Sequence, residues 1–480
     1  MAEILICLPI AWAAVAFAVP SNRWRPWVLP LGAASHLYFM FQALQQTELT
    51  GLGNWLSLDP LGKIFLLLIG VLFFLCAAYA PGYLAQRQQR DNRILCACLF
   101  LSLAMMNLII LSHHLGLMWV AMEATTLISA PGLYFNHNAR SLEATWKYLL
   151  ICSVGIALAL MGSLLLAYAS LHESLHEGLA STLMFDELLR QAPQLEKGWL
   201  RAAFIFLFVG YGTKMGLAPM HTWKPDAYGE APGMIGALLA GGLTNCAFLA
   251  ILRFVHIAFD AGMGDFVRPI LIYVGLFSMA LAAAFMVRQR DFKRMLAYSS
   301  VEHMGILVLG VGIGGKATWA ALLHVISNAL TKGVLFLSAG NIHRAYGTKV
   351  TTDVKGVIHR LPLSGWLFLL GFLAITGSPP FAPFVSEFSL LSAAFAQKQW
   401  VAGGLFVFLL LVIFFAFGAI VTSMVFGRPS PDASTTDYHD TFATTWPIVG
   451  FALLALLLGV YMPPPLSEML SAAAKYLEHS

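Results

Sequence analysis

The residues with chemistry to offer are few, and they sit where ionisable groups are expensive. Glu123 lies in LMWVAMEATTLISA, about eight residues and so roughly 12 Å into an apolar run. Lys214 stands just before a Gly- and Pro-rich interruption, YGTKMGLAPMHTWKPDAYGEAPG over 211–233. Lys332 is deep in HVISNALTKGVLFLSAG, and His324, Asn328 and Lys332 are spaced to share one helical face. Glu387 follows a second interruption, ITGSPPFAPFVSEFSLL over 375–391. An apolar setting disfavours a charged lysine and a nearby carboxylate favours it, so such pairs can load and unload protons. The chemistry these types fit is a relay: Glu123 with Lys214 as an acid–base pair, then Lys332 with His324, then Glu387. The opposing reading is a set of static ion pairs that fix helix packing.

A second rank is less specific. Lys147, four residues after Glu143 at the start of a run, fits a local pair or a relay group. Glu302 and His303 follow LAYSS near the start of another run, and are expected to be shallow, as a proton-uptake mouth or a loop anchor. His221, Asp226 and Glu230 flank the first interruption, either fixing the loop or serving uptake. Asn245 takes no proton but can orient water. None of these sets has the spacing of a metal site, and H-E-x-x-H and the phosphate-binding G-x-x-x-x-G-K-[ST] are absent. GVGIGG at 310–315 lacks the strand–turn–helix setting of a dinucleotide site. No catalytic redox site, metal site or cofactor site is expected in the chain.

The elements that position these groups follow from composition. Of 480 residues 59% are hydrophobic and 11% charged, against roughly 25% charged in a soluble domain. Mean hydropathy is +0.76. These values exclude a soluble or disordered chain and a nucleic-acid binder. Apolar material runs the whole length, which argues helices rather than a barrel. The six cysteines, at 7, 76, 96, 98, 152 and 246, form no C-x-x-C and read as small buried residues.

The expected fold is an all-α polytopic membrane protein of about fourteen spans. Residues 4–20 lack a basic flank in front, so they read as a first span rather than a signal peptide. Arg23, Arg25, Arg87, Arg90, Arg93, Arg288, Arg290, Lys293, Arg294, Arg344, Lys349 and Arg360 fall in loops of one side. Acidic residues Glu173, Glu177, Asp186, Glu187 and Glu196 fall on the other, and the loop with Asp432, Asp437 and Asp440 is an exception. By the positive-inside rule both termini are outside. The segment 170–200 is expected to lie along the outer membrane surface or against a partner subunit.

Proline in a span is tolerated only inside a bundle or beside water. Two such breaks mark two discontinuous helices and suggest inverted five-helix repeats. The expected divisions are 1–93 (three helices), 94–258 and 268–426 (the repeats), and 447–480 (a last helix and short tail).

WVAMEATTL at 119–127, KMGLAPMHTWKPDAYGEAP at 214–232, DFKRMLAYSSVEHMG at 291–305, NALTKGVLFLSAGNI at 328–342 and TGSPPFAPFVSEFSLL at 376–391 carry a resemblance. The chain resembles the antiporter-like, proton-pumping membrane subunits of complex I, cation/proton antiporter complexes and membrane-bound hydrogenases. The YSSVEHMG form makes it most similar to the hydrogenase-4 component F branch. The resemblance spans about 90 to 395. It implies that Glu123 pairs with Lys214, and that Lys332 and Glu387 match relay positions of the family. Asn245 departs from it, since many members carry Lys or His there.

The function so implied is proton translocation in the bacterial inner membrane, driven by electron transfer in partner subunits. Those partners would be other integral membrane subunits and a peripheral module with NiFe and iron–sulfur centres, as in a hydrogenase-4/formate-hydrogenlyase or complex I assembly. Alternatives are a subunit of a sodium/proton antiporter, a subunit of another ion-coupled uptake complex, and a structural scaffold.

Overall fold

A computed structural model describes residues 1–177, 183–428 and 436–478, with backbone only for 172–177. The side chains of Glu173 and Glu177, and all of Asp432, lie outside the described residues. Helices α1 (Ala2–Ala18) and α2 (Arg25–Leu44) precede a small hairpin pairing Thr50–Gly51 with Leu56–Ser57. Then come α3 (Pro60–Ala85), α4 (Arg93–Leu111), α5 (Leu115–Leu133), α6 (Ala139–Glu177) and the short α7 (Phe185–Gln191). Next are α8 (Lys197–Met215), α9 (Trp223–Glu230), α10 (Gly233–Leu238) and α11 (Thr244–Asp260), the last two joined through a π-helical turn, Leu239–Leu243. α12 (Gly264–Met286), α13 (Phe292–Ile313), α14 (Lys316–Tyr346) and the single turn α15 (Val357–Arg360) lead to α16 (Pro362–Ile375) and α17 (Ala382–Ala396). α18 (Trp400–Phe426), α19 (Phe442–Val460) and α20 (Pro464–Glu478) complete the described chain.

Among the described residues nine helices are long and apolar enough to cross a membrane, with α1, α16 and α17 shorter but apolar. The protein is a multi-pass, predominantly helical membrane protein. Burial sorts the helices. The apolar windows of α13, α14 and the Gly233–Asp260 span are 100% buried, whereas that of α18 is 28% buried and otherwise offered to lipid. A helix buried all round can carry polar groups away from lipid, and the ionisable residues concentrate on the central helices.

Both interruptions are real helix ends. α8 stops at Gly216, whose φ of 80° is left-handed and whose amide bonds Gly212 O at 2.8 Å. α16 ends before Gly377, φ 66°. At each break the glycine leaves room for an ionisable side chain from the helix that follows. A Cβ on Gly216 would strike the Lys224 stem, and one on Gly377 the Glu387 carboxylate.

A buried clamp ties the first helices to α11. The Arg253 guanidinium pairs with Asp59 at 3.2 Å and donates to Ile109 O, Ile110 O and Ser112 O at 3.1, 2.6 and 2.7 Å. These are carbonyls at the α4 C-terminus, which the helix itself cannot satisfy. Asp59 also caps α3 by accepting from Gly62 N.

Two expectations are corrected here, for the C-terminal tail and for the cysteines. The stretch after the last span is no plain tail: α20 buries Leu466, Leu470, Ala473 and Leu477, and the Glu478 carboxylate accepts from Gly315 N at 2.7 Å and from the Thr318 hydroxyl. The apolar stripe gives that helix a core-facing side. The described part of 170–200 folds onto its own chain, with Phe185 and Leu188 buried and Asp186 paired with His113 at 2.6 Å. Not all cysteines are buried either: Cys7 is exposed and Cys98 half-buried, both on helix faces turned outward.

Candidate functional site

The first group forms where α5, α6 and α8 meet. Lys214, in the last turn of α8, is fully buried. Its ammonium donates to Thr126 Oγ1 at 2.7 Å and to the Tyr148 hydroxyl at 3.0 Å. Glu123 is half-buried and accepts from Ser153 Oγ at 2.6 Å and from Thr126 Oγ1 at 3.5 Å. Glu123 and Lys214 are therefore not the direct ion pair expected. Thr126, one turn along α5 from Glu123, stands between them and can accept from one and donate to the other. Tyr148 continues the chain of hydroxyls to Ser129 at 2.7 Å.

The second group forms between α13, α14 and α17. Lys332 is fully buried and donates to Ser299 Oγ at 2.8 Å. His324, two turns earlier on α14, contacts His303 (Nε2 to Nδ1, 2.9 Å) and Ser386 (Nδ1 to Oγ, 2.8 Å). Ser386 Oγ donates to Pro383 O at 2.9 Å. That orientation makes His324 Nδ1 the donor to Ser386 and leaves Nε2 to accept from His303 Nδ1–H. The chain of donors then ends at His303 Nε2, buried without a hydrogen-bond partner and 3.9 Å from Glu302 Oε2. Glu387 Oε1 and both polar atoms of Asn328 are likewise buried and unpaired. Buried polar atoms without partners mark places where water belongs.

Glu302 and His303 are not shallow. α13 starts at Phe292, ten residues before Glu302, so the pair is roughly 15 Å along the helix, and both are buried. The ligating atoms of His303, His324 and Glu387 lie within 4.8 Å of one another, compact enough for a metal ion. Three different helices supply them, so no sequence spacing could show it.

The second-rank residues separate from this interior. Asp226 is held by Lys147 at 2.9 Å and by Arg294, and Lys147 also pairs with Glu143 at 2.6 Å. Glu230 is held by Lys349 at 2.6 Å. These groups line an open cavity of about 490 Å³ at the end of the molecule where α9 and α13 meet. His221 is buried, and packs on Phe285 and Tyr298. Asn245 spends its amide on Gly241 O of its own helix at 2.8 Å, and its Oδ1 is buried without a partner. The sequence reading missed Lys224, the Ser299–Ser300 pair and Thr126. The signal for Lys224 was the glycine ahead of it, Gly216, on which its stem packs.

The family described as NADH:quinone oxidoreductase/Mrp antiporter, TM, matches residues 112–415. The chain therefore belongs to that family of membrane subunits. It is 37% identical over 432 residues to a hydrogenase-4 component F homolog of Methylacidiphilum infernorum, covering 87% of each chain. It is 30% identical over 386 residues to an NADH-quinone oxidoreductase subunit N of Desulforudis audaxviator, covering 79% of this chain and 75% of that one. Its fold matches a chain of the Mrp complex from a Dietzia species with TM-score 0.87 at 20% identity, over 99% of this chain and 97% of that one.

Proposed function

We propose that this chain is the proton-translocating membrane subunit of a multisubunit redox complex of the hydrogenase-4/formate-hydrogenlyase or complex I kind. One observation carries the reading. Two buried lysines, Lys214 and Lys332, donate to hydroxyls rather than to carboxylates, and two buried histidines contact each other, inside the helix bundle of a member of this family. A static packing role would be served better by apolar side chains.

The relay runs from Glu123 through Thr126 to Lys214, then through Lys332, His324 and His303 to Glu387 and Glu302. Lys147, Asp226 and Glu230 lie at its wet mouth. In this reading ten of about fourteen spans form two inverted five-helix units, 94–258 and 268–426. The second helix of each carries a glutamate, Glu123 and Glu302, and each contains a glycine-ended break. The chain sits in a bacterial inner membrane with both termini outside, as its loop charges suggest. Electrons stay in partner subunits, with NiFe and iron–sulfur centres in a peripheral module. The component F homolog among the relatives supports that assembly.

The test is transport by the whole complex in membrane vesicles. Glu123→Gln and Lys214→Met variants that assemble normally are expected to lose proton uptake by about tenfold or more per electron transferred. Full coupling in both would sink the reading. Sodium-dependent exchange without any electron donor would shift it to the antiporter alternative. Thr126→Val keeps the shape and removes the hydroxyl that links the two residues. It is expected to slow proton uptake about tenfold, and an unchanged rate would mean that Glu123 and Lys214 exchange protons without it.

A further inference from the structure

Lys224 is a buried lysine that the relay above does not use, and unlike Lys293, which donates to the Ala231 carbonyl, it meets a side-chain hydroxyl. It sits in the first turn of α9 and is fully buried. Its ammonium donates to Ser300 Oγ at 3.2 Å and lies 5.9 Å from the Tyr228 ring centre. Among the described residues no carboxylate pairs with it. A lysine taken out of water and given one hydroxyl is a poor packing device, since an apolar side chain of similar length would cost less.

Its position is more telling than its burial. Ser300 adjoins Ser299 on α13, and Ser299 accepts from Lys332 at 2.8 Å. Two lysines, from α9 and α14, thus hang on neighbouring hydroxyls of one buried helix. At the second break Glu387 lies against Gly377 just as Lys224 lies against Gly216. The first break therefore presents an amine where the second presents a carboxylate. Asn245, on the adjoining α11, has no proton to give.

We propose that Lys224 carries the proton between the two halves of the chain. This rests on the relay reading above. The step is a transfer from the Lys224 ammonium to the neutral amine of Lys332. One N–H bond of Lys224 breaks and one forms on Lys332. Ser300, Ser299 and a water between them each accept one proton and release another, so they end unchanged. Repulsion between the two ammonium groups when both are loaded drives the proton onward.

The experiment uses the intact complex in vesicles, with proton uptake and electron transfer followed together and assembly checked on native gels. Lys224→Gln keeps a donor for Ser300 but holds no exchangeable charge. Lys224→Arg keeps the charge but cannot release it. Both are expected to lose proton uptake by about tenfold or more. A purely structural lysine would be replaced by arginine or glutamine without such a loss, so full uptake in either assembled variant overturns the proposal. Should arginine crowd Gly216 and block assembly, the glutamine variant decides alone. Lys214→Met and Lys332→Met run alongside. If they lose uptake and the Lys224 variants do not, Lys224 is no carrier and the relay stands. If none loses uptake, the relay itself falls and this step with it.

Discussion

A Lys332→Met variant is expected to assemble normally and to lose proton uptake by about tenfold or more, the largest transport defect of any single change outside the first group. The side chain is fully buried on a helix whose apolar window is wholly buried, and its ammonium donates to Ser299 Oγ at 2.8 Å and to Leu296 O at 3.5 Å. Methionine fills nearly the same space without a charge. Among the described residues the ammonium is in no direct ion pair, so removing it relieves a desolvation penalty and the fold should tolerate it. The same change removes the one proton carrier between the serine pair and the His324–His303 pair. Measuring protons taken up per electron in vesicles, with the amount of assembled complex as control, separates the two roles. Normal coupling in an assembled Lys332→Met complex would show that the lysine is there for packing.

Arg253→Leu should act in the opposite way, through stability. The guanidinium is fully buried, and it binds Asp59 together with three carbonyls at the end of α4. Leucine would leave the Asp59 carboxylate and those carbonyls without their donors. Breaking a buried pair by removing one partner costs about 3–5 kcal/mol, a large part of the roughly 5–15 kcal/mol that holds a folded protein together. The expected result is little accumulated protein, and a lowered thermal midpoint for what can be purified in detergent. Residual protein should still move protons, since the clamp lies outside the relay. An unchanged midpoint would remove the clamp from the account of stability.

These two lysine and arginine sites show how much of the protein is written in its residues. Composition alone required a membrane protein, because 11% charged residues cannot clothe a soluble chain of this length. Glycine and proline marked both helix breaks, since backbone chemistry is local. Lys332 and His324 were placed on one face by their spacing, and α14 carries them so. α20 was missed because a short amphipathic pattern of fifteen residues after a proline run gives no hint of what it packs on.

The partners of the ionisable groups were decided only by tertiary structure. Thr126 separates Glu123 from Lys214 because α8 approaches α5 at the level of the threonine, one turn from the carboxylate. Glu302 and His303 looked shallow because depth was counted from the apolar residues of α13, whereas the helix begins earlier, with polar residues capped by Asp291. Lys224 drew no reading of its own, since it stands in a polar stretch with His221, Asp226 and Glu230. The left-handed Gly216 and the close packing of α9 on α13 bury it. Sequence fixes which residues can hold a proton and which helix faces carry them. The distances that turn them into a path depend on how separate helices pack, and no local pattern encodes that.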